Sequence, residues 1–195
     1  MKMSNTKEKI LKCAERLFSL NGYDATSVQD ICKEVGISKG AFFHYFPTKE
    51  SLFLEVLDFW LSELYEKLEE KRKEEKEVFQ SIIKMGEIFK DIFSQSEQKL
   101  FLFLEFLRRS TKDERIINGL RNYYRRYKEY FSSLIEEGIN EGSIKKIDPD
   151  LLSRTLISFA IGTILQEIFS PDEDWEKLSL EGMKLILSSI KKEVD

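Results

Sequence analysis

Between Ser27 and Pro47 the chain has room for two short helices and little else. Ser27 precedes Val28-Gln29-Asp30, an N-cap serine with an acid three residues later, and Val28, Ile31 and Val35 share one face. Gly36 permits a tight turn, and Ser38 caps a second helix. That helix must stop before Pro47, because the residue ahead of a proline is pushed out of helical geometry. Two helices of about two turns each, joined by three residues that include a glycine, make a helix-turn-helix.

The remaining elements also read as helices. Over residues 5–20, Ile10, Leu11, Ala14, Leu17 and Phe18 recur at helical spacing, and Gly22 ends the run where a left-handed residue is needed. Thr48 can cap a long helix with Leu52, Phe53, Val56, Leu57, Trp60, Leu64 and Leu68 along one side, dissolving into the charge run of residues 69–76. The spacing predicts further helices at about 77–94, 97–109, 113–141, 148–169 and 175–193. Residues 100–107 are apolar all round apart from Glu105, so that helix is expected to be buried. In 120–134, Leu120, Tyr123, Tyr124, Tyr127, Phe131 and Leu134 form an inward stripe with the arginines mostly outside. No stretch alternates in polarity as a half-buried strand would, so the fold class is all-α.

Nothing in the chain points to catalysis, a metal or a cofactor. Cys13 and Cys32 lie beside apolar neighbours without metal-ligand spacing and are expected to be reduced and packed. The single histidine, His44, has no Asp, Glu or Cys near it in sequence to complete a triad or a metal set. The amino terminus lacks the apolar segment of a signal peptide, and the longest mostly apolar run, 156–165, is far short of the roughly 20 residues a membrane span requires. The expected setting is therefore cytoplasmic, with no membrane partner.

Charge is unevenly placed. Residues 1–50 hold eight Lys/Arg against six Asp/Glu, a net of +2, while the whole chain carries −4. From Lys33 to Lys49 there are three lysines and one acid, Glu34. The cationic end is also the one with the run Phe42-Phe43-His44-Tyr45-Phe46. On a helix that starts after Ser38, Phe42 and Phe46 share a face and can complete a small core. The other face, with Lys39, Gly40, Ala41, Phe43, His44 and Tyr45, is then left outward, and exposed rings are unfavourable unless something covers them.

A DNA major groove could provide that cover. A recognition helix enters by its N-terminal residues, here Lys39, Gly40 and Ala41, which are small enough or suitably charged to meet base edges. Phe43 can pack on a methyl or a sugar, and His44 and Tyr45 have polar tips for phosphates. Ser27 and Lys49, at or beside helix starts, can add phosphate contacts. The rival is an all-helical protein-interaction adaptor that docks a partner helix on the same aromatic face.

Residues 7–53 resemble the DNA-binding domain of the TetR/AcrR family of bacterial transcriptional regulators. The resemblance rests on the order Phe18-x-x-x-Gly22-Tyr23, Thr26-Ser27-x-x-x-Ile31, Gly36-Ile37-Ser38-Lys39-Gly40, the aromatic run, and Lys49-Glu50-x-Leu52. It implies a DNA-binding domain over residues 1–50 and a ligand-binding and dimerisation domain over 51–195. By the same match Ser27, Ser38, Lys39, Gly40, Ala41, Phe43, His44, Tyr45 and Lys49 are the contact positions. The family usually has tyrosine where this chain has Phe43, so a hydroxyl contact is missing there.

The function so implied is that of a repressor that binds a palindromic double-stranded operator as a homodimer and is released by a small, mostly apolar or aromatic inducer. Family layout assigns the last two helices to the dimer interface. Ser158 and Gly162 would allow close approach there, and Leu178, Met183, Ile186, Leu187 and Ile190 would supply an apolar stripe. The candidate pocket residues are Met85, Phe89, Phe93, Leu104, Tyr123, Tyr127, Phe131, Phe159 and Glu167. Glu105 and Glu167 are the acids that could face a cationic ligand.

Overall fold

The computed structural model describes residues 5–88 and 96–192. Among them are nine helices: α1 (Asn5–Ala25), α2 (Val28–Val35), α3 (Lys39–Tyr45), α4 (Lys49–Glu74), α5 (Val78–Met85), α6 (Ser96–Ser110), α7 (Glu114–Glu141), α8 (Pro149–Gln166) and α9 (Trp175–Ser188).

The early boundaries are made by the side chains that the sequence offers. Gly22 takes φ 78°, ψ 161° and breaks the helical path of α1. Ser27 Oγ accepts from the Asp30 N–H at 3.1 Å, and Asp30 Oδ2 accepts from the Ser27 N–H at 2.9 Å, a reciprocal capping box. Gly36 is left-handed and closes α2 by donating its N–H to the Cys32 carbonyl. Ser38 Oγ accepts from the Ala41 N–H at 3.1 Å to open α3, and Thr48 Oγ1 accepts from the Ser51 N–H at 2.9 Å to open α4.

By compactness the chain divides into two units. The first takes the residues up to Glu63 together with Glu97–Arg121, and the second takes Leu64–Ser96 and Asn122–Asp195. In the first unit, rings from α4 and α6 pack on the first helices: Phe53 lies 5.3 Å from Phe18, 4.8 Å from Tyr23 and 4.4 Å from Phe106. Trp60 adds a stacked contact to Phe106 at 6.5 Å. Phe18, Phe53 and Phe106 are all fully buried.

The expectation that α6 is buried on every side is corrected. Leu102 and Phe106 are wholly buried, but Phe101 is 53% and Leu107 38% exposed, so only one face is covered.

In the second unit Val78, Ile82, Met85, Ile135, Leu152 and Leu187 belong to one core, with Tyr127, Phe131 and Phe159 packed against it. Gly138 on α7 is part of that packing. A Cβ there would sit 2.5 Å from Ile144 Cδ1 and 3.1 Å from Val78 Cγ1, so the absence of a side chain admits the buried Ile144. Beyond α7, Ile144 and Lys191 form an isolated antiparallel bridge: the Lys145 N–H donates to the Ile190 carbonyl at 2.9 Å, and the Lys192 N–H to the Ser143 carbonyl at 3.2 Å. That bridge ends the last helix at Ser188, before the expected residue 193, and is too short to need alternating polarity. Among the described residues no helix is long and apolar enough to cross a membrane.

Candidate nucleic-acid interface

Helix α3 sorts its rings as its periodicity requires. Phe42 and Phe46 are both 0% exposed, with ring centres 5.8 Å apart. On the other side Lys39, Gly40, Phe43 and His44 are exposed, and Ala41 and Tyr45 are half-buried. Phe43 is 48% exposed and stands edge-on to Phe42, with centroids 5.3 Å apart and planes at 89°. His44 leans in the same manner on Tyr45 at 5.3 Å. A Cβ on Gly40 would meet only Ser38 Oγ, at 3.8 Å, so the first turn of α3 is open to a close approach.

Two of the expected contact residues are engaged within the protein. Lys49 Nζ donates to the carbonyls of Tyr23 and Thr26, both at 2.8 Å, and lies 4.1 Å from the centre of the Tyr23 ring. Burial pushes its pKa below the ordinary lysine value. Held by these two carbonyls, the Lys49 ammonium ties the start of α4 to the corner between α1 and α2. The Ser27 hydroxyl donates to Asp30 Oδ2 at 2.6 Å, and that bond, with the Ser27 N–H, holds the Asp30 carboxyl below the usual range. Asp30 therefore occupies the start of α2, leaving Ser27 without a free hydroxyl proton.

The corner that Lys49 holds was not legible in the sequence. Arg109 of α6 places its guanidinium 3.8 Å over Tyr23 and donates to Asp24 Oδ1 at 3.0 Å. Arg108 reaches Asp24 Oδ2 at 2.8 Å, and Glu105 Oε1 accepts from the Tyr23 N–H at 3.3 Å. Glu105 also accepts from Arg108, at 2.8 Å, so it is committed inside the first unit and not to a cationic ligand. The only sequence trace of this corner was the Gly-Tyr pair of the first motif, since no periodicity links residues 23–24 to 105–109.

Of the candidate pocket residues, Phe89 and Phe93 lie outside the described residues. Leu104 belongs to the first unit and the rest to the second. Met85 is in the core of the second unit, with Tyr127, Phe131 and Phe159 against it; burial pushes the Tyr127 phenol well above its ordinary value. Tyr123 is half-buried. Glu167 Oε2 is buried and has no hydrogen-bond donor among the described residues.

The stripe expected to pair two copies is divided by the structure. Ser158 and Leu178 are exposed, and nothing lies within 4 Å of a Cβ placed on Gly162. Met183, Leu187 and Ile190 are 7%, 0% and 6% exposed and Ile186 packs against them, so these four build the protein's own core. Their neighbour Leu185, passed over in the sequence, is 74% exposed, as is Phe169 at 81%. Cys13 and Cys32 are free and buried, and burial raises both thiols.

Known proteins resemble an amino-terminal segment of the chain in sequence and the whole chain in fold. Residues 10–56 match the model of the bacterial regulatory proteins of the tetR family. The HTH-type transcriptional regulator QacR of Staphylococcus aureus is 50% identical over 54 residues, 28% of this chain and 29% of that protein. YfiR of Bacillus subtilis, another HTH-type transcriptional regulator, is 25% identical over 184 residues, covering 93% of this chain and 89% of that one. A TetR transcription regulator from Haloarcula marismortui superposes with a TM-score of 0.86 over 97% of this chain and all of its own, at 18% identity. A transcriptional regulator from Saccharomonospora viridis, solved in complex with choline, gives 0.84 over 98% of this chain and all of its own, also at 18% identity. With capped helices α2 and α3 displaying a cationic, ring-bearing face in the matched segment, residues 10–56 form a helix-turn-helix domain of the tetR family of bacterial regulatory proteins, on a chain that has the fold of TetR regulators throughout.

Proposed function

We propose that this regulator is a repressor that binds a palindromic operator as a homodimer and leaves it when a small ligand binds. The observation that carries the proposal is the outward face of α3, where Lys39, Gly40, Phe43 and His44 are exposed while Phe42 and Phe46 of the same helix are completely buried. Residues 1–50 read the DNA, and 51–195 bind the ligand and pair the copies. With Lys49 tied inward, one copy offers few phosphate contacts and remains in the non-specific range of roughly 10⁻⁴–10⁻⁶ M at physiological salt. Two linked copies escape that limit. Pairing is supported by the apolar side chains that α8 and α9 leave exposed, among them Leu151, Ile161, Leu178 and Leu185.

Release is a population shift: the ligand must prefer the form whose α3 helices no longer match the half-sites, and a near-complete switch requires about 5.5 kcal/mol of preference. Glu167 supports a mostly apolar or aromatic ligand that also carries a cationic group, because a buried carboxylate oxygen without a donor is costly until a positive charge or an N–H meets it. The choline held by the Saccharomonospora viridis neighbour is of that chemical kind.

Selection of bound sequences from a random duplex pool tests the proposal. The expected result is an enriched palindrome with half-sites about one helical turn, ~34–36 Å, apart or a multiple of it, bound with an affinity that falls steeply as salt is added. A salt-insensitive partner and no enriched duplex would instead mean that the aromatic face docks protein.

A further inference from the structure

We propose that copies of this chain meet through an ionic contact in which the loop between α8 and α9 of one copy docks on Arg125 and Arg126 of another. The contact is separate from the apolar side chains of α8 and α9 and does not rest on DNA binding. Residues 115–128 hold four arginines and a lysine without a single acid, a denser positive charge than that of Lys33–Lys49, on a chain whose net charge is −4. Arg115 and Lys128 are matched by Asp113 and Asp150. Arg121, Arg125 and Arg126 hold no ion pair among the described residues, whereas every other arginine does, from Arg16 with Glu34 to Arg154 with Asp150. Glu129, one turn beyond Arg125, is exposed and pairs with neither Arg125 nor Arg126; an arginine that precedes the acid is the weaker order for such a pair.

The matching surface lies on the same chain. Asp172 and Glu173 are exposed and hold no ion pair among the described residues, and Phe169, at the start of the same loop, is 81% exposed. Asp174 is already used to cap α9, accepting from the Lys177 N–H at 3.0 Å. The loop is also held in shape: Trp175 Nε1 donates to the Ser170 carbonyl at 2.7 Å, and the Glu173 N–H donates to that carbonyl at 3.2 Å. Arg126 is oriented as well, its guanidinium 4.2 Å from the centre of the Tyr65 ring, a flat stack that leaves the N–H edges for a carboxylate. Little freedom is then lost on either side when the two meet. Arg126 pairs with the carboxylates of Asp172 and Glu173, and Arg125 covers the ring of Phe169, which a guanidinium suits better than water does. Within one copy the arginines and the acids do not pair, so the contact takes a second copy. Loop and helix are different surfaces, and in a two-fold pair the contact occurs twice.

The test reverses the two sides separately. One full-length protein carries Arg125→Glu with Arg126→Glu, and the other carries Asp172→Lys with Glu173→Lys; each is first checked for an unchanged melting curve, and Arg125→Gln with Arg126→Gln replaces the first should that reversal disturb α7. Association is measured by sedimentation equilibrium at low salt. Each reversed protein is expected to associate about tenfold more weakly than the unmodified one. Their equimolar mixture should regain the unmodified affinity, because opposite charges then face each other at both contacts, and all differences should vanish near ~0.5 M salt. With the glutamine variant the same weakening is expected. Equal association of all the proteins overturns the inference and leaves pairing through α8 and α9 standing. A weakening that the mixture of the two reversed proteins does not restore overturns it too, since the arginines and the loop would then not face each other. An unmodified protein that stays monomeric overturns both contacts.

Discussion

The guanidinium of Arg109 lies 3.8 Å from the centre of the Tyr23 ring and also donates to the next residue, Asp24, at 3.0 Å. One side chain of α6 thus grips the corner through which the chain passes from α1 to α2, against a tyrosine that is only 7% exposed. Arg109→Ala is expected to lower stability by about 1–2 kcal/mol, since it removes a partly desolvated ring contact as well as an ion pair. Arg109→Lys keeps the charge and loses the flat stack, so it should fall between the two. Urea denaturation of the three proteins checks the order; equal midpoints would mean that the stack contributes nothing.

Adjacent phenylalanines on α3 should behave oppositely. Phe42→Ala empties a fully buried site and is expected to cost about 3–5 kcal/mol. Phe43→Ala should change stability by less than about 1 kcal/mol while weakening duplex binding. Chemical denaturation and a binding titration on the same preparations separate the two roles, and a large stability loss at Phe43 would show its ring to be structural.

Residues 185 and 187 make a similar pair at the other end of the chain. If the proposed homodimer pairs through this face, Leu185→Glu is expected to leave the protein monomeric with helix content unchanged, because Leu185 is 74% exposed. Leu187→Ala, at a position with no exposure, should cost about 2–5 kcal/mol instead. Sedimentation velocity decides: a Leu185→Glu protein that remains dimeric removes this face from the interface.

Acid stability contains a recognisable contribution from Asp113. Hydrogen bonds from the Arg115 guanidinium and backbone N–H hold its carboxyl at about 2. An unfolded aspartate titrates near ~3.9, so in this window the unfolded chain binds more protons than the folded one. The stabilisation is complete above pH ~4 and is lost as pH falls through about 2. Asp113→Asn should therefore flatten the stability curve between pH ~4 and ~2, as followed by thermal melts; a slope equal to that of the unmodified protein would remove Asp113 as its source.

The amino-terminal elements were legible because each is specified within a few residues. Ser27 with Asp30, Gly36, Ser38 and Thr48 act over one turn, and the division of Phe42 and Phe46 from Phe43 follows from helical period alone. What could not be read depends on partners distant in sequence. Lys49 looked like a free cation beside a helix start, and nothing local marks the carbonyls of Tyr23 and Thr26 as its acceptors. On α9 the apolar residues were visible, yet which of Leu185 and Leu187 faces inward depends on Ile82, Met85 and their neighbours from other helices. The bridge between Ile144 and Lys191 pairs single residues, below the length at which any pattern forms.

The inward-turned ammonium of Lys49 also changes how this protein should respond to covalent labelling. Acylating reagents require an accessible amine nitrogen, and the two carbonyls at 2.8 Å keep that of Lys49 turned inward, although burial makes it easier to deprotonate. Lys33 and Lys39, both at the surface, should be modified first. Peptide mass spectra of a lightly acetylated sample would thus carry a gap at residue 49, and the filling of that gap with rising temperature would report when the corner between α1 and α2 comes undone.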